Sequence, residues 1–197
     1  ASTRAPWRAA AARMPAWPPC GRKEITYHSP FFVAMPGLSA MPLEEVLQSL
    51  REYCASMPPV AAMRVEVAGY DGERLSLRAP LAANVNDKGT AFGGSLTSLM
   101  TLAGWGLVTL QLQLRGLSAE VYVADSAIRY LAPLRDDLLA QAWLGEGGQA
   151  SEGGWDAFFA TLAARGRARV QVEAEVALPG GGVATTLSGR FVAIARK

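Results

Sequence analysis

The chain has 197 residues, enough for one domain with a substantial core and too few for two large ones. Half of the residues are apolar and 18% are charged, which excludes a disordered chain. The net charge of +2 belongs to the start of the chain: residues 1–23 hold five bases and no acid, so residues 24–197 carry fourteen bases against seventeen acids and offer no basic surface for nucleic acid.

Residues 1–41 read as a leader without periodicity, punctuated by Pro6, Pro15, Pro18, Pro19, Pro30 and Pro36. They lack the apolar core of a secretory signal. Their Arg/Ala-rich start has the composition of a transit peptide or of an extended reading frame, with Met35 and Met41 as alternative starts. Residues 42–197 read as one domain. Cys20 and Cys54 have no metal-ligand spacing, so a reducing, cytoplasmic setting is expected, and neither metal nor cofactor enters the reading.

From Leu43 the apolar residues Val46, Leu47, Leu50, Tyr53 and Cys54 recur at helical spacing, and Met57-Pro-Pro59 ends that helix. Ala62–Ala68 and Arg74–Ala79 alternate across Asp71-Gly72, a hairpin turn. Residues 89–114 contain no charged side chain. The spacing predicts a helix over Gly94–Leu114, closed at Arg115-Gly116. Its apolar part is shorter than the ~20 residues a membrane span needs, so it is expected to lie inside the protein.

Strands follow over Glu120–Leu131 and Asp137–Leu144, with a turn at Glu146–Gly148 and helical spacing over Trp155–Ala164. Arg167–Leu178 alternates strongly, and Pro179–Gly182 turns it into a last strand over Val183–Ala195. The order suits an α+β fold: an antiparallel sheet, wet on one face, wrapped around one long buried helix.

The stretch Asn84-Val-Asn-Asp-Lys-Gly-Thr-Ala-Phe-Gly-Gly-Ser95 sets polar and turn-forming residues directly before that helix. Gly89, Gly93 and Gly94 allow close backbone approach. If a helix starts near Gly93, its first N–H groups have no internal partner and suit an anion or a developing oxyanion.

With Thr101-Leu-Ala-Gly-Trp105 and Ile128-Arg-Tyr-Leu-Ala-Pro133, this block resembles the YiiD C-terminal domain family of hotdog-fold acyl-thioester enzymes. The resemblance covers about residues 43–196. It implies a hotdog fold, acyl-CoA or acyl carrier protein substrates, and activity as a thioesterase or as a malonyl-carrier-protein decarboxylase. It also implies a homodimer paired side by side with its sites at the interface. In related thioesterases a His stands at the Phe92 position and a carboxylate at Thr101, so the resemblance implies an oxyanion site without its usual base.

The residues weigh the chemistry the same way. Hydrolysis needs an activated water. The one His, His28, lies in the leader, and Asn86, Thr90, Ser95 and Thr101 orient water without deprotonating it. Asp87, beside Lys88, reads first as a solvated turn residue. Decarboxylation of a malonyl thioester needs donors aimed at the enolate oxygen and no base. Asn86 and the Gly93 N–H are the candidate donors, each worth ~2.7–4 kcal/mol where such a donor acts. Decarboxylation is therefore set ahead of hydrolysis by a thin margin, with a non-catalytic acyl-binding module as a third reading.

Each residue also has a plainer role. Asn86 is otherwise an ordinary turn residue, and its replacement by Ala is expected to stop turnover while barely moving the melting temperature. Asn84 caps the loop. Gly93 and Gly94 serve packing. Ser95 starts the helix. Thr101 bonds its own backbone. Phe92 fills core or lines the acyl site. Gly104, Trp105 and Gly106 pack the helix on the sheet. Arg165, Arg167 and Arg169 form a cluster that is ordinarily a solvated strand face; as a docking site it suits an acidic carrier protein and its phosphate. Arg129 and Arg135 have less support.

Overall fold

The computed structural model describes residues 41–145 and 154–196. The expected leader up to residue 40 and the turn at Glu146–Gly148 lie outside the described residues.

Helix α1 spans Leu43–Ser56 and buries Val46, Leu47, Leu50 and Cys54. It stops at Met57, held extended at φ −90° and ψ 109°, as a residue before proline prefers. The two prolines do more than end a helix. Pro58 opens a second short one, α2 (Pro58–Ala62), because proline's fixed φ and missing N–H suit a first helical position. The strand expected over Ala62–Ala68 is therefore late. Ala61 and Ala62 stay with α2, Arg64 turns the chain at φ 55°, and β1 begins only at Glu66 (Glu66–Tyr70).

β1 pairs with β2 (Leu75–Ala79) across the expected Asp71-Gly72 turn. There Asp71 Oδ1 accepts from the N–H groups of Glu73 and Arg74 at 2.9 and 2.7 Å. After the uncharged helix α3 (Gly93–Leu114) come β3 (Ala119–Tyr130), β4 (Leu138–Leu144), α4 (Gly154–Arg165), β5 (Arg167–Ala177) and β6 (Val183–Ala195). The six strands form one sheet in the order β1-β2-β4-β5-β6-β3, with every neighbouring pair antiparallel.

Five of the six strands pack against α3, and β1 reaches it through Tyr70, whose hydroxyl accepts from Gln111 Nε2 at 2.7 Å. Leu99, Met100, Ala103, Leu107 and Leu110 of the helix meet Leu75, Ala140, Val172, Leu187 and Phe191 of the sheet in one buried core. This is the hotdog arrangement. α3 is long and apolar enough to cross a membrane, yet 67% of its most apolar window is buried in the protein. Gly104 and Gly106 give the close approach expected of them: a Cβ would sit 2.6 Å from the Phe191 ring and 2.8 Å from Leu75. Trp105 does not join them on the sheet; its ring lies 5.5 Å from that of Tyr53 on α1.

Candidate functional site

The loop between β2 and α3 is stitched by its asparagines. Asn84 is buried, and its Nδ2 donates to the carbonyls of Met63 and Pro80, each at 2.9 Å. It caps loop to body and reaches no open space. Asn86 Oδ1 accepts from the N–H groups of Lys88 (2.8 Å) and Thr90 (3.1 Å), an Asx-type turn. Its Nδ2 donates to Thr90 Oγ1 at 2.8 Å and, weakly, to the Ala91 carbonyl at 3.4 Å. So Asn86 holds the loop with both ends of its amide. Donation to a substrate would first have to release the longer of the Nδ2 contacts.

The chain enters α3 through Phe92, which is extended and offers no side-chain cap. Its carbonyl takes the Leu96 N–H at 3.0 Å, the first bond of the helix. The N–H groups of Gly93, Gly94 and Ser95 meet no acceptor among the described residues. Three donors therefore converge at the positive end of a 22-residue helix. Phe92 is 56% exposed, so it borders this opening instead of filling core. Its ring lies over Gly94, where a Cβ would come within 2.3 Å and turn the exposed ring aside. Ser95 is buried at the third helical position.

Two further side chains complete the site. The ring of Tyr130, at the end of β3, rests on Gly93, 3.3 Å from where a Cβ would be. Its hydroxyl lies 2.7 Å from Thr97 Oγ1 and 3.2 Å from the Gly93 carbonyl. Thr97 is one turn beyond Gly93, and Thr101 one turn further on the same helix face. The Thr101 hydroxyl makes no hydrogen bond among the described residues; it does not bond its own backbone. Gly93, Thr97, Thr101 and Tyr130 thus present a free amide and three hydroxyls on one side of the helix start. The sequence reading missed Thr97 and Tyr130. Tyr130 stood inside the Ile128–Pro133 block, and Thr97 at i+4 from Gly93 was the available signal.

Neither of the two candidate carboxylates, Asp87 in the motif and Asp125 outside it, is free to act as a base. Asp87 pairs with Lys88 Nζ at 2.9 Å, both largely exposed, the solvated turn expected of it. Asp125 on β3 is bound by the Arg190 guanidinium, and this hydrogen bonding holds its carboxyl below the usual carboxylate range. Arg165, Arg167 and Arg169 lie at the other end of the sheet and do not join the site. Val176, Thr185 and Tyr130 form one row across β5, β6 and β3, and Arg167 is nine residues from Val176, ~30 Å along the strand. Arg129 and Arg135 are exposed and make no ion pair among the described residues.

Residues 47–195 match the family described as "Putative thioesterase (yiiD_Cterm)". The chain belongs to this family. Among solved structures it is similar to a putative thioesterase from Shewanella oneidensis, with 31% identity, TM-score 0.65, and 77% of this chain and 99% of that one covered. A protein of unknown function from Chlorobaculum tepidum is 27% identical, with TM-score 0.71 over 80% of this chain and 99% of that chain. A Pseudomonas aeruginosa protein described as a probable thioesterase shares the fold at 20% identity, with TM-score 0.62 over 81% of this chain and all of that one.

Proposed function

We propose that this protein is an acyl thioesterase that holds the thioester carbonyl on the free N–H groups of Gly93, Gly94 and Ser95. The uncapped start of α3 carries the reading. Fixed amide donors at a helix N-terminus suit the oxygen of a tetrahedral intermediate, whose charge grows in the transition state. The hydroxyls of Thr101, Thr97 and Tyr130 stand where a water could be oriented. The family description and that of the Shewanella oneidensis relative support hydrolysis. The substrate would ride on CoA or on an acyl carrier protein.

A second reading, decarboxylation of a malonyl thioester, draws on one observation. Asp87 and Asp125 are both engaged with cations, and Thr101 is a poor proton acceptor. Loss of CO₂ sends the C–C bonding pair to the thioester oxygen as an enolate, and a proton from water then completes the acetyl thioester. That path needs the donors and no base. Incubation with acyl and malonyl thioesters of CoA and of a carrier protein separates the readings. Free thiol without CO₂ establishes hydrolysis; CO₂ with the thioester retained reverses the order. Binding of both without either product leaves an acyl-binding module.

The working unit is proposed to be a homodimer. β3 is an edge strand, nine of its twelve residues are exposed, and it ends on Tyr130 at the site. A second copy paired along β3 would cover that edge and bring two sites to one interface.

A further inference from the structure

The peptide between Gly93 and Gly94 differs from its neighbours at the start of α3. Its N–H, on Gly94, is one of the three donors without an acceptor. Its carbonyl, on Gly93, takes the ordinary helical bond from the Thr97 N–H and a second bond from outside the helix: the Tyr130 hydroxyl donates to it at 3.2 Å. The other two free N–H groups share their peptides with the carbonyls of Phe92 and Gly94. No side chain among the described residues donates to either of those carbonyls.

The order of the hydroxyls follows from what each group can do. A carbonyl cannot donate, so the Tyr130 hydrogen points at Gly93. Thr97 Oγ1 lies 2.7 Å from the same hydroxyl. A helical threonine often returns its hydrogen to the carbonyl four residues back, here that of Gly93, but Thr97 makes no such bond. Its hydrogen goes to the Tyr130 oxygen instead. The result is a chain with one direction: Thr97 to Tyr130, Tyr130 to the Gly93 carbonyl, and through the peptide to the Gly94 N–H.

Each bond in such a chain polarises the next. The peptide is trans, so its carbonyl and N–H point in opposite directions, both along the helix axis. Density drawn to the carbonyl oxygen leaves the Gly94 hydrogen more positive, at the end of the helix that is already positive. Two rings sharpen the effect. Tyr130 lies against Gly93 and Phe92 over Gly94, where Cβ atoms would stand 3.3 and 2.3 Å from ring carbons. Apolar surface therefore replaces water on the flanks of this one peptide, and a lower local dielectric strengthens its bonds.

We propose that Tyr130 and Thr97 are positioning residues that act through this peptide, and that their chain makes the Gly94 N–H the strongest of the three donors to the thioester oxygen. The proposal rests on the oxyanion reading above and serves hydrolysis and decarboxylation alike, since both put charge on that oxygen. It commits the hydrogens of Tyr130 and Thr97. The Thr101 hydroxyl, without a partner among the described residues, is then the one left to hold a water.

The test uses the full-length protein with acyl-CoA and malonyl-CoA. Tyr130→Phe keeps the ring on Gly93 and removes the chain. Its kcat should fall roughly two- to eightfold, the 10–30% that one bond in a chain adds to a donor worth 10²–10³. KM should stay near normal, because the bond strengthens only as charge develops. Thr97→Val should lose less, and Thr97→Ser, which keeps the hydroxyl, should restore what valine loses. Tyr130→Phe/Thr97→Val should lose no more than Tyr130→Phe alone, because Thr97 acts only through the tyrosine. A wild-type kcat in Tyr130→Phe, a loss carried by KM, or a double variant whose losses multiply overturns the chain. Nuclear magnetic resonance reads the peptide without turnover. In Tyr130→Phe the Gly94 amide proton should move upfield at an unchanged melting temperature; an unmoved Gly94 proton overturns the chain. If the wild type turns over neither thioester, the catalytic reading falls, and the Gly94 shift by itself upholds or overturns the polarised peptide.

Discussion

Proline at position 93 would delete one of the proposed oxyanion donors and leave the helix intact. Gly93 is the first helical residue, where proline's missing N–H has no intrahelical bond to break. Phe92 already has the extended backbone that a residue before proline prefers. Gly93→Ala supplies the control, since it adds the same Cβ against Tyr130 at 3.3 Å and keeps the amide hydrogen. Gly93→Pro should therefore lose 10²–10³ in kcat while Gly93→Ala stays near wild type, with similar melting temperatures for both. Equal activity of the two in a steady-state assay removes the Gly93 amide from the mechanism. Asn86 behaves differently. The sequence suggested that Asn86→Ala would spare stability, but its amide makes four hydrogen bonds in the loop. At ~1 kcal/mol for a typical bond, the variant should melt measurably lower as well as lose turnover. The Asn86–Thr90 turn of the motif was legible because its bonds are local. Tyr130 was not, because only the path of the sheet brings it to Gly93, 37 residues away.

Among the elements, the long helix shows what periodicity conveys and what it omits. A run without charge predicts burial on most sides, and α3 is buried on most sides. Contact partners are another matter: nothing in the sequence tells Gly104, under the Phe191 ring, from Trp105, which turns to α1. Gly104→Ala tests the tight contact. The added Cβ would fall 2.6 Å from an aromatic carbon that is itself fully buried, so the ring has nowhere to move. Overpacking of this kind costs ~1–3 kcal/mol, against the gain alanine ordinarily brings to a helix interior. A net loss in chemical denaturation is expected; a gain would mean that the ring shifts freely. The late start of β1 has an equally local cause. The Pro58-Pro59 pair both stops one helix and starts the next, and a pattern of alternation cannot show which comes first.

On the scale of the whole molecule, the sheet has two edges, and they are not alike. β1 is five residues long and bulged; β3 is twelve, with Tyr122, Val123 and Tyr130 exposed at 52%, 41% and 58%. A long edge with exposed apolar side chains is a pairing surface, and proteins that stay monomeric blunt it with prolines or charges. Here the central charge, Asp125, is neutralised by Arg190. Light scattering on eluted protein should give twice the 20.8 kDa chain mass. Val123→Lys puts a like charge on both edges at once, because a two-fold axis makes the patch meet itself. It should halve the mass and leave the circular dichroism spectrum unchanged. Turnover should fall with it, since Tyr130 at the end of the same strand closes over Gly93. A wild-type monomer with full activity would show that each site is complete within one chain, and the edge strand would then need another explanation.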